Sequence, residues 1–186
     1  MSNVTRAAAD PGLRPAAAVR NVIRTARLVL RRLGLDDAQF ILELLNEPAF
    51  LRFIGDKGVR NPDSARAYIC AGPMDSYERH GFGLYAACLR DGTPIGICGL
   101  VRRDGLADAD VGFAFLSRYW SNGYAAESSS AVLAHARQVL QMKRVVAITT
   151  PDNHGSIAVL EKIGFKFERI IRLTAAAELN LFVSDP

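Results

Sequence analysis

The sequence contains little of what marks a membrane, disulfide-rich or metal-binding protein. None of its apolar runs reaches the roughly 18 residues that a membrane-spanning helix needs. The three cysteines, Cys70, Cys88 and Cys98, form no CxxC pair, and the three histidines lie far apart. This spacing argues against a disulfide framework or a zinc site. We therefore expect no bound metal, and three buried thiols in a reducing cytoplasm.

Excess positive charge is absent beyond the first 34 residues. The net charge is +4, but residues 1–34 hold seven arginines against one acid, Asp10, and so contribute +6. The other 152 residues are therefore net negative by two. A nucleic-acid-binding protein would need clustered Lys and Arg with aromatic residues on a folded element, and this part of the sequence lacks them.

Residues 1–26 are predicted to form a flexible basic extension, followed by a single domain over residues 27–186. The segment is rich in Ala and Arg and contains Pro11, Gly12 and Pro15. It has no apolar stretch of the length that a secretory signal needs. A transit peptide remains an alternative, because the segment is rich in arginine and poor in acids. Nothing in residues 27–186 reads as a linker.

The body of the chain alternates strand and helix patterns in the order β-α-α-β-β-β-α-β-α-β-β. Alternating apolar residues predict the strands, and Asp91-Gly92 predicts a hairpin turn. Apolar residues at helical spacing predict the helices, with a break at Gly72-Pro73. The predicted strands cover residues 27–33, 82–90, 94–102, 110–116, 144–149, 165–173 and 176–183. The predicted helices lie before Pro48 and over residues 49–54, 61–79, 124–140 and 152–163.

The turn Arg118-Tyr-Trp-Ser-Asn-Gly-Tyr-Ala125 joins a predicted strand to a predicted long helix. A helix start carries unpaired N–H groups and the positive end of the helix dipole. It is therefore a ready site for a phosphate or pyrophosphate. Gly123 would let the backbone approach such a ligand without a Cβ atom in the way. Many strand-to-helix turns need a glycine only for its positive φ, so this turn needs support from elsewhere.

That support comes from a second segment, Asn153-His-Gly-Ser-Ile-Ala-Val-Leu-Glu-Lys-Ile-Gly-Phe165, one helix and one strand later. With the element order, the two segments resemble the GCN5-related N-acetyltransferase (GNAT) superfamily over residues 25–183. Within it, the chain resembles the branch of ribosomal-protein N-terminal acetyltransferases.

The resemblance implies an α/β (α+β) fold with acetyl-CoA as the cofactor. The fold would be a mixed, mostly antiparallel sheet of about six or seven strands, flanked by about four helices. Its parallel central strands, residues 110–116 and 144–149, would splay at one end, where the pantetheine arm enters. Unpaired backbone groups there would bind the arm's amides. By resemblance Phe115 and Leu116 supply these groups, although packing of a buried strand explains both residues as well.

The family's pyrophosphate loop, Gln/Arg-x-x-Gly-x-Gly/Ala, falls on Arg118, Ser121 and Gly123. Ser121 stands where the family has its first glycine. It would keep a backbone donor if its φ stays negative, or it would simply cap the helix. Asn153 either lies near the pantetheine or caps the following helix. The cofactor-binding residues that the resemblance implies are Phe115, Leu116, Arg118, Ser121, Asn122, Gly123, Tyr124, Ala125, Asn153 and Ser156.

Acetyl transfer to an amine requires a proton acceptor, a stabilised oxyanion and a proton donor. Asp110 is the candidate proton acceptor, because it begins the central strand near the acceptor side; the alternative is a solvated turn residue. Ser156 is the candidate donor to the leaving thiolate, because Leu160 stands where many family members have a tyrosine. Glu127 is expected to stabilise the positive end of its own helix instead.

The resemblance thus predicts an N-acetyltransferase that works by direct attack in a ternary complex, on the N-terminal α-amine of a protein or peptide. Two alternatives stay open: a small amine such as an antibiotic, polyamine or amino acid as the acceptor, or an acyl-CoA-binding sensor without turnover. A peptide acceptor needs an open groove, whereas a small polar amine needs a closed acidic pocket. We expect no nucleic-acid or membrane partner, and a homodimer is compatible with families of this type.

Overall fold

An eight-stranded open sheet runs through residues 21–173 and 178–184, which are the residues that this computed structural model describes. The strands are ordered β1-β2-β3-β4-β5-β6-β8-β7, and every neighbouring pair is antiparallel except β5 with β6. The predicted mixed, mostly antiparallel sheet is confirmed. The strands are β1 (Asn21–Arg24), β2 (Leu28–Arg32), β3 (Leu84–Leu89), β4 (Pro94–Val101), β5 (Asp110–Phe115), β6 (Val145–Thr149), β7 (Lys166–Ile171) and β8 (Leu179–Ser184).

Helices flank the sheet on both sides. Across the two described ranges, none of them is long and apolar enough to cross a membrane, and no cluster of three His, Cys, Asp or Glu could hold a metal ion. The predicted start of the last strand at residues 176 and 177 lies outside those ranges. The α-helices are α1 (Ala38–Leu45), α2 (Pro48–Phe53), α3 (Pro62–Ile69), α4 (Asp75–His80), α5 (Tyr124–Gln138) and α6 (His154–Lys162).

Strand β1 carries the sheet beyond the predicted start of the domain. It pairs antiparallel with β2, and the connecting turn is closed by the Thr25 N–H, which donates to the Leu28 carbonyl at 3.0 Å. The boundary predicted at residue 27 is therefore too late, and β1 is one strand more than predicted. A four-residue strand beside an arginine-rich segment shows too little alternation for its sequence to reveal it.

Two hydrophobic cores cover the two faces of the sheet. Strand β3 shows how they arise, because successive side chains of a strand point to opposite faces. Tyr85 and Ala87 belong to the first core, whereas Ala86 and Cys88 belong to the second. Helices α5 and α6 pack on the first core, and helices α1 and α3 pack on the second. The domain is thus a sheet between two helical layers.

The break predicted at Gly72-Pro73 is a π-helical turn, Cys70–Met74, between α3 and α4. Pro73 has no N–H to continue the α-helical ladder, and a wider turn accommodates it. Cys70 is exposed on this turn, while Cys88 and Cys98 are buried. The expectation of three buried thiols is therefore wrong for Cys70.

Strands β5 and β6 begin as a parallel pair and then separate. Between the described residues of these strands there is one bridged position, Asp110 opposite Val146. Past that point β5 stays paired with β4 as far as Phe115, and β6 stays paired with β8 as far as Thr149. The predicted splay between the two central strands is confirmed. It opens toward the ends that lead into α5 and α6.

Candidate active site

A cavity of about 660 Å³ lies beside the end of β5, where this strand has parted from β6. Its walls come from α2, from the end of β5 and the loop after it, from the first turn of α5 and from α6. Phe50 of α2 belongs to the second core, whereas Tyr124 and Ala125 of α5 pack against the first. The cavity therefore touches both helical layers beside the end of β5.

The start of α5 presents free backbone donors to this cavity. Its first residue follows Gly123, which adopts a φ of 78° and has no side chain that could cap the helix. The first backbone bond of the helix runs from the Glu127 N–H to the Gly123 carbonyl at 3.0 Å. The N–H groups of Tyr124, Ala125 and Ala126 consequently have no carbonyl within the helix. All three residues line the cavity, so their donors and the helix dipole suit an anion there.

Ser121, two residues before, also adopts a left-handed conformation, with a φ of 62°. The negative φ on which its predicted role as a backbone donor depended is therefore not observed. A side chain at such a φ is strained, and this explains why the family places glycine here. Ser121 lines the cavity together with Gly123. The loop keeps the shape that two glycines would give it, although one of them is a serine.

A brace from the first hairpin holds this loop from outside. The Arg27 guanidinium donates to the Asn122 carbonyl at 2.9 Å and to the Glu127 carboxylate at 2.6 Å. Glu127 also accepts from the Thr25 hydroxyl and from the Arg27 N–H. Burial acts to raise the pKa of Glu127, but these hydrogen bonds outweigh it and lower that pKa. Glu127 thus lies in the first turn of α5, as expected, and it also ties that turn to the β1–β2 hairpin.

The start of α6 is capped by the side chain of the residue that precedes the helix. Asn153 is the residue before the helix, and its Oδ1 accepts from the Ser156 N–H at 3.1 Å. The prediction of a helix cap is confirmed for Asn153, and the same residue also lines the cavity. Ser156 lines it as well. No hydrogen bond ties the Ser156 hydroxyl to another described residue, so it can meet a ligand.

Phe115 and Leu116, predicted to act through their backbones, are placed differently. Phe115 lines the cavity, and its carbonyl accepts from Trp120 Nε1 at 2.7 Å. Leu116 is fully buried in the second core. Its N–H donates to the Ile95 carbonyl at 3.0 Å, and its carbonyl accepts from the Tyr119 N–H at 2.9 Å. The Phe115 carbonyl is therefore available to a ligand only when Trp120 releases it, whereas the backbone groups of Leu116 are engaged within the fold.

Trp120 is too exposed to anchor the turn by burying its ring in the core. Its side chain stands at the mouth of the cavity with 49 % of the residue's surface exposed. The indole touches the end of β5 through its bond to Phe115. The turn is thus held to the strand by one hydrogen bond rather than by burial of the ring.

Arg118 and Asn122, both predicted to bind the cofactor, are not among the residues that line the cavity. The Arg118 guanidinium forms an exposed ion pair with Glu43 of α1. The Asn122 side chain donates to the Trp120 carbonyl at 2.9 Å and to the Tyr119 carbonyl at 3.2 Å. In this conformation both side chains shape the loop and do not line the cavity, so the loop faces the cavity with its backbone.

Asp110 is not brought to the cavity. It lies at the closed end of the β5–β6 pair, is 1 % exposed and forms an ion pair with Arg103. Its Oδ1 accepts from the Ile148 N–H at 3.3 Å. Burial raises the pKa of Asp110 to about 6, against the opposing effect of the Arg103 guanidinium. The alternative of a solvated turn residue is wrong, and so enclosed a carboxylate is poorly placed to take a proton from an acceptor.

The contribution of α2 was missed from the sequence. The Glu47 carboxylate lines the cavity and accepts from the Ser117 N–H at 3.3 Å. Arg52 donates to Asp152, just before α6, at 3.1 Å and so joins two walls of the cavity. These contacts link positions 70 and 100 residues apart, so no local sequence motif predicts them.

Known proteins match this chain in sequence and in structure. The family model described as Acetyltransferase (GNAT) domain matches residues 27–166. An uncharacterized N-acetyltransferase of Bacillus subtilis (strain 168), YnaD, is 27 % identical over 147 residues, which cover 78 % of this chain and 83 % of YnaD.

Two solved structures with bound ligands share the fold. RimL, a ribosomal L7/L12 alpha-N-protein acetyltransferase in complex with coenzyme A, has a TM-score of 0.75 and 17 % identity over 87 % of this chain and 95 % of RimL. The Microcin C7 self immunity acetyltransferase MccE, in complex with acetyl-CoA and AMP, has a TM-score of 0.74 and 14 % identity over 87 % of this chain and 94 % of MccE. The matched domain and the splayed sheet lead to one conclusion: the chain belongs to the GNAT family and is an N-acetyltransferase that uses acetyl-CoA.

Proposed function

We propose that the protein transfers the acetyl group of acetyl-CoA to the N-terminal α-amine of a protein or peptide, by direct attack in a ternary complex. The observation that carries this proposal is the cavity beside the end of β5, which touches both helical layers. A donor bound on the α5–α6 side and an acceptor bound on the α2 side would meet within it. Positioning two substrates in this way supplies much of the rate of such a reaction.

The residues at the start of α5 fit the diphosphate of acetyl-CoA. The N–H groups of Tyr124, Ala125 and Ala126 are free, and the left-handed Ser121 and Gly123 shape the backbone around them. The Phe115 carbonyl borders the gap where the pantetheine amides would lie, once Trp120 Nε1 releases it. When bound, acetyl-CoA supplies a thioester carbonyl that an amine can attack.

Two side chains in the cavity could move the protons. The Glu47 carboxylate could accept a proton from the acceptor ammonium, directly or through water. The Ser156 hydroxyl could donate a proton to the departing thiolate from the first turn of α6. Glu47→Gln would test the first role, because we expect it to lower kcat while acetyl-CoA affinity is retained.

The α2 side of the cavity favours a peptide over a small polar amine. Ala49, Phe50, Phe53 and Ile54 make this wall largely apolar, and Ile54 is exposed at its edge. A small cationic acceptor would need an enclosed group of carboxylates. Asp152 lines the same cavity, but it is exposed and paired with Arg52. RimL, which shares the fold, acetylates a protein α-amine according to its name, and this adds weight to the peptide acceptor.

The experiment is a thiol-release assay with acetyl-CoA over a panel of peptides and small amines. Each peptide is tested with its α-amine free and, as the matched control, with its α-amine blocked. We expect coenzyme A release with free peptides and not with blocked ones. Release with small amines alone would favour a small-molecule N-acetyltransferase. A protein whose melting temperature rises with acetyl-CoA, but which releases no thiol with any acceptor, would be the acyl-CoA sensor.

A further inference from the structure

The point at which β5 and β6 part coincides with a buried carboxylate between them. In a regular parallel ladder, N–H groups of one strand bond at even spacing to carbonyls of its neighbour. Here the Val146 N–H follows this pattern and donates to the Ala109 carbonyl at 3.0 Å. The next N–H of β6 on the same side, that of Ile148, would be due to reach a carbonyl of β5. It donates instead to Asp110 Oδ1 at 3.3 Å.

We propose that Asp110 is a positioning residue that ends the β5–β6 ladder and so opens the slot for the pantetheine arm. The inference rests on the proposed use of the splay by acetyl-CoA. A side chain that bonds the Ile148 N–H takes the place of a β5 carbonyl. Phe113, Ala114 and Phe115, further along β5, then border the cavity instead of pairing with β6.

The surroundings of Asp110 explain how a carboxylate can stay in this place. An isolated buried charge is costly, but a paired and hydrogen-bonded one is tolerated. Arg103 pairs with the other oxygen, Oδ2, from the loop between β4 and β5. The outer partners of the two strands, β4 and β8, hold them in the sheet. The strands can therefore part on one side without the sheet coming apart.

This role makes a prediction that differs from general-base catalysis. Asp110→Leu removes the acceptor for the Ile148 N–H, whereas Asp110→Asn keeps an oxygen there. We expect the Leu variant to bind acetyl-CoA at least about tenfold more weakly, which corresponds to the loss of one or two hydrogen bonds. The Asn variant should bind within about threefold of the wild type, with its kcat retained. A general base would instead lose kcat equally in both variants.

The experiment combines calorimetry with acetyl-CoA, kcat and KM over a range of pH, and hydrogen exchange at the Ile148 amide. Asp108→Asn is the matched control, because Asp108 lies at the same end of β5 and pairs with Arg144; its affinity should not change. Faster exchange at Ile148 in the Leu variant, together with weaker binding, is the expected result. Unchanged affinity and exchange in that variant would overturn the proposal, as would a loss of kcat in the Asn variant with an altered pH profile.

Two further readouts separate the possible failures. If the Leu variant does not fold, Asp110→Ala removes the same acceptor with a smaller side chain, and unchanged acetyl-CoA affinity and Ile148 exchange in it would also overturn the role. If the wild type itself does not bind acetyl-CoA, the proposed function fails. Exchange at the Ile148 amide would still show whether Asp110 ends the ladder.

Discussion

The two helices that begin at the cavity start in opposite ways. Helix α5 follows Gly123, which has no side chain to offer, and its first N–H groups stay open. Helix α6 follows Asn153, whose side chain accepts from the Ser156 N–H. Free N–H groups at a helix start attract anions, and capped ones do so less. The comparison shows that the N–H groups at a helix start are available to a ligand where no side chain of the protein caps that helix.

The largest expected effect comes from closing the open start of α5. Gly123→Val forces a β-branched residue to a φ of 78°, which costs about 1–2 kcal/mol and displaces the donors that follow. We expect acetyl-CoA affinity to fall about 100-fold, because two charge-assisted hydrogen bonds contribute about 3 kcal/mol. Calorimetry with acetyl-CoA measures this change.

Gly58→Val is the matched control for that substitution. Gly58 has a φ of 69° in the loop between α2 and α3, with open space around it. It should suffer a similar backbone strain with no change in acetyl-CoA affinity. An equal loss of affinity in both variants would show that strain alone, and not the α5 donors, explains the first result.

The second-largest expected effect concerns the Ser156 hydroxyl, which the capped start of α6 places at the cavity. Ser156→Ala should lower kcat about 10- to 100-fold, near the low end for a general acid, since a serine is a weak one. The affinity for acetyl-CoA should remain. Steady-state kinetics with a saturating peptide acceptor gives the measurement, and Ser130→Ala on the exposed side of α5 is the control. Unchanged kcat in Ser156→Ala would remove Ser156 from the reaction.

A smaller effect concerns the cap itself. Asn153→Ala should lose about 1 kcal/mol of stability, or about 2–4 °C in the melting temperature of a domain of this size. Asn153→Asp keeps an acceptor for the Ser156 N–H and should retain the melting temperature. Its added negative charge should weaken acetyl-CoA binding by a few-fold at low salt. Thermal unfolding with and without acetyl-CoA distinguishes the two variants, and an unaltered melting temperature in Asn153→Ala would contradict the cap.

The smallest expected effect is a change in melting temperature when the left-handed residue in the loop before α5 is replaced. Ser121→Gly relieves a left-handed serine, and the melting temperature should rise by about 2–4 °C for about 1 kcal/mol. Gln141→Gly, at the other left-handed non-glycine position of the described residues, should give a similar gain. Acetyl-CoA affinity should stay within about twofold in both. A lower melting temperature in Ser121→Gly would mean that the hydroxyl makes a stabilising contact.

Features that depend on neighbouring residues could be predicted from the sequence. The Asn153 cap needs a contact three positions away, and the Asp91-Gly92 turn joins adjacent strands. The left-handed conformation of Ser121 was also indicated by the sequence comparison with the family, which has a glycine at this position. Serine itself rarely adopts such a φ, so its residue type pointed to the wrong conformation.

Features that depend on distant pairs could not be predicted. Asp110 begins β5 as expected, but its burial depends on Arg103 and on Ile148, 38 positions along the chain. The place of Glu47 in the cavity depends on how α1 and α2 pack on the second core. Charge and hydropathy patterns carry no information on which loop a carboxylate will meet across the sheet.

The exposed indole at the mouth of the cavity has a practical consequence. Trp120 is the only tryptophan in the chain, and its N–H is bound to the carbonyl that a pantetheine amide would need. Emission from the whole protein therefore reports on one position. A spectral shift on adding acetyl-CoA would follow the opening of that bond in real time, without a label, and stopped-flow mixing could resolve donor binding from acetyl transfer.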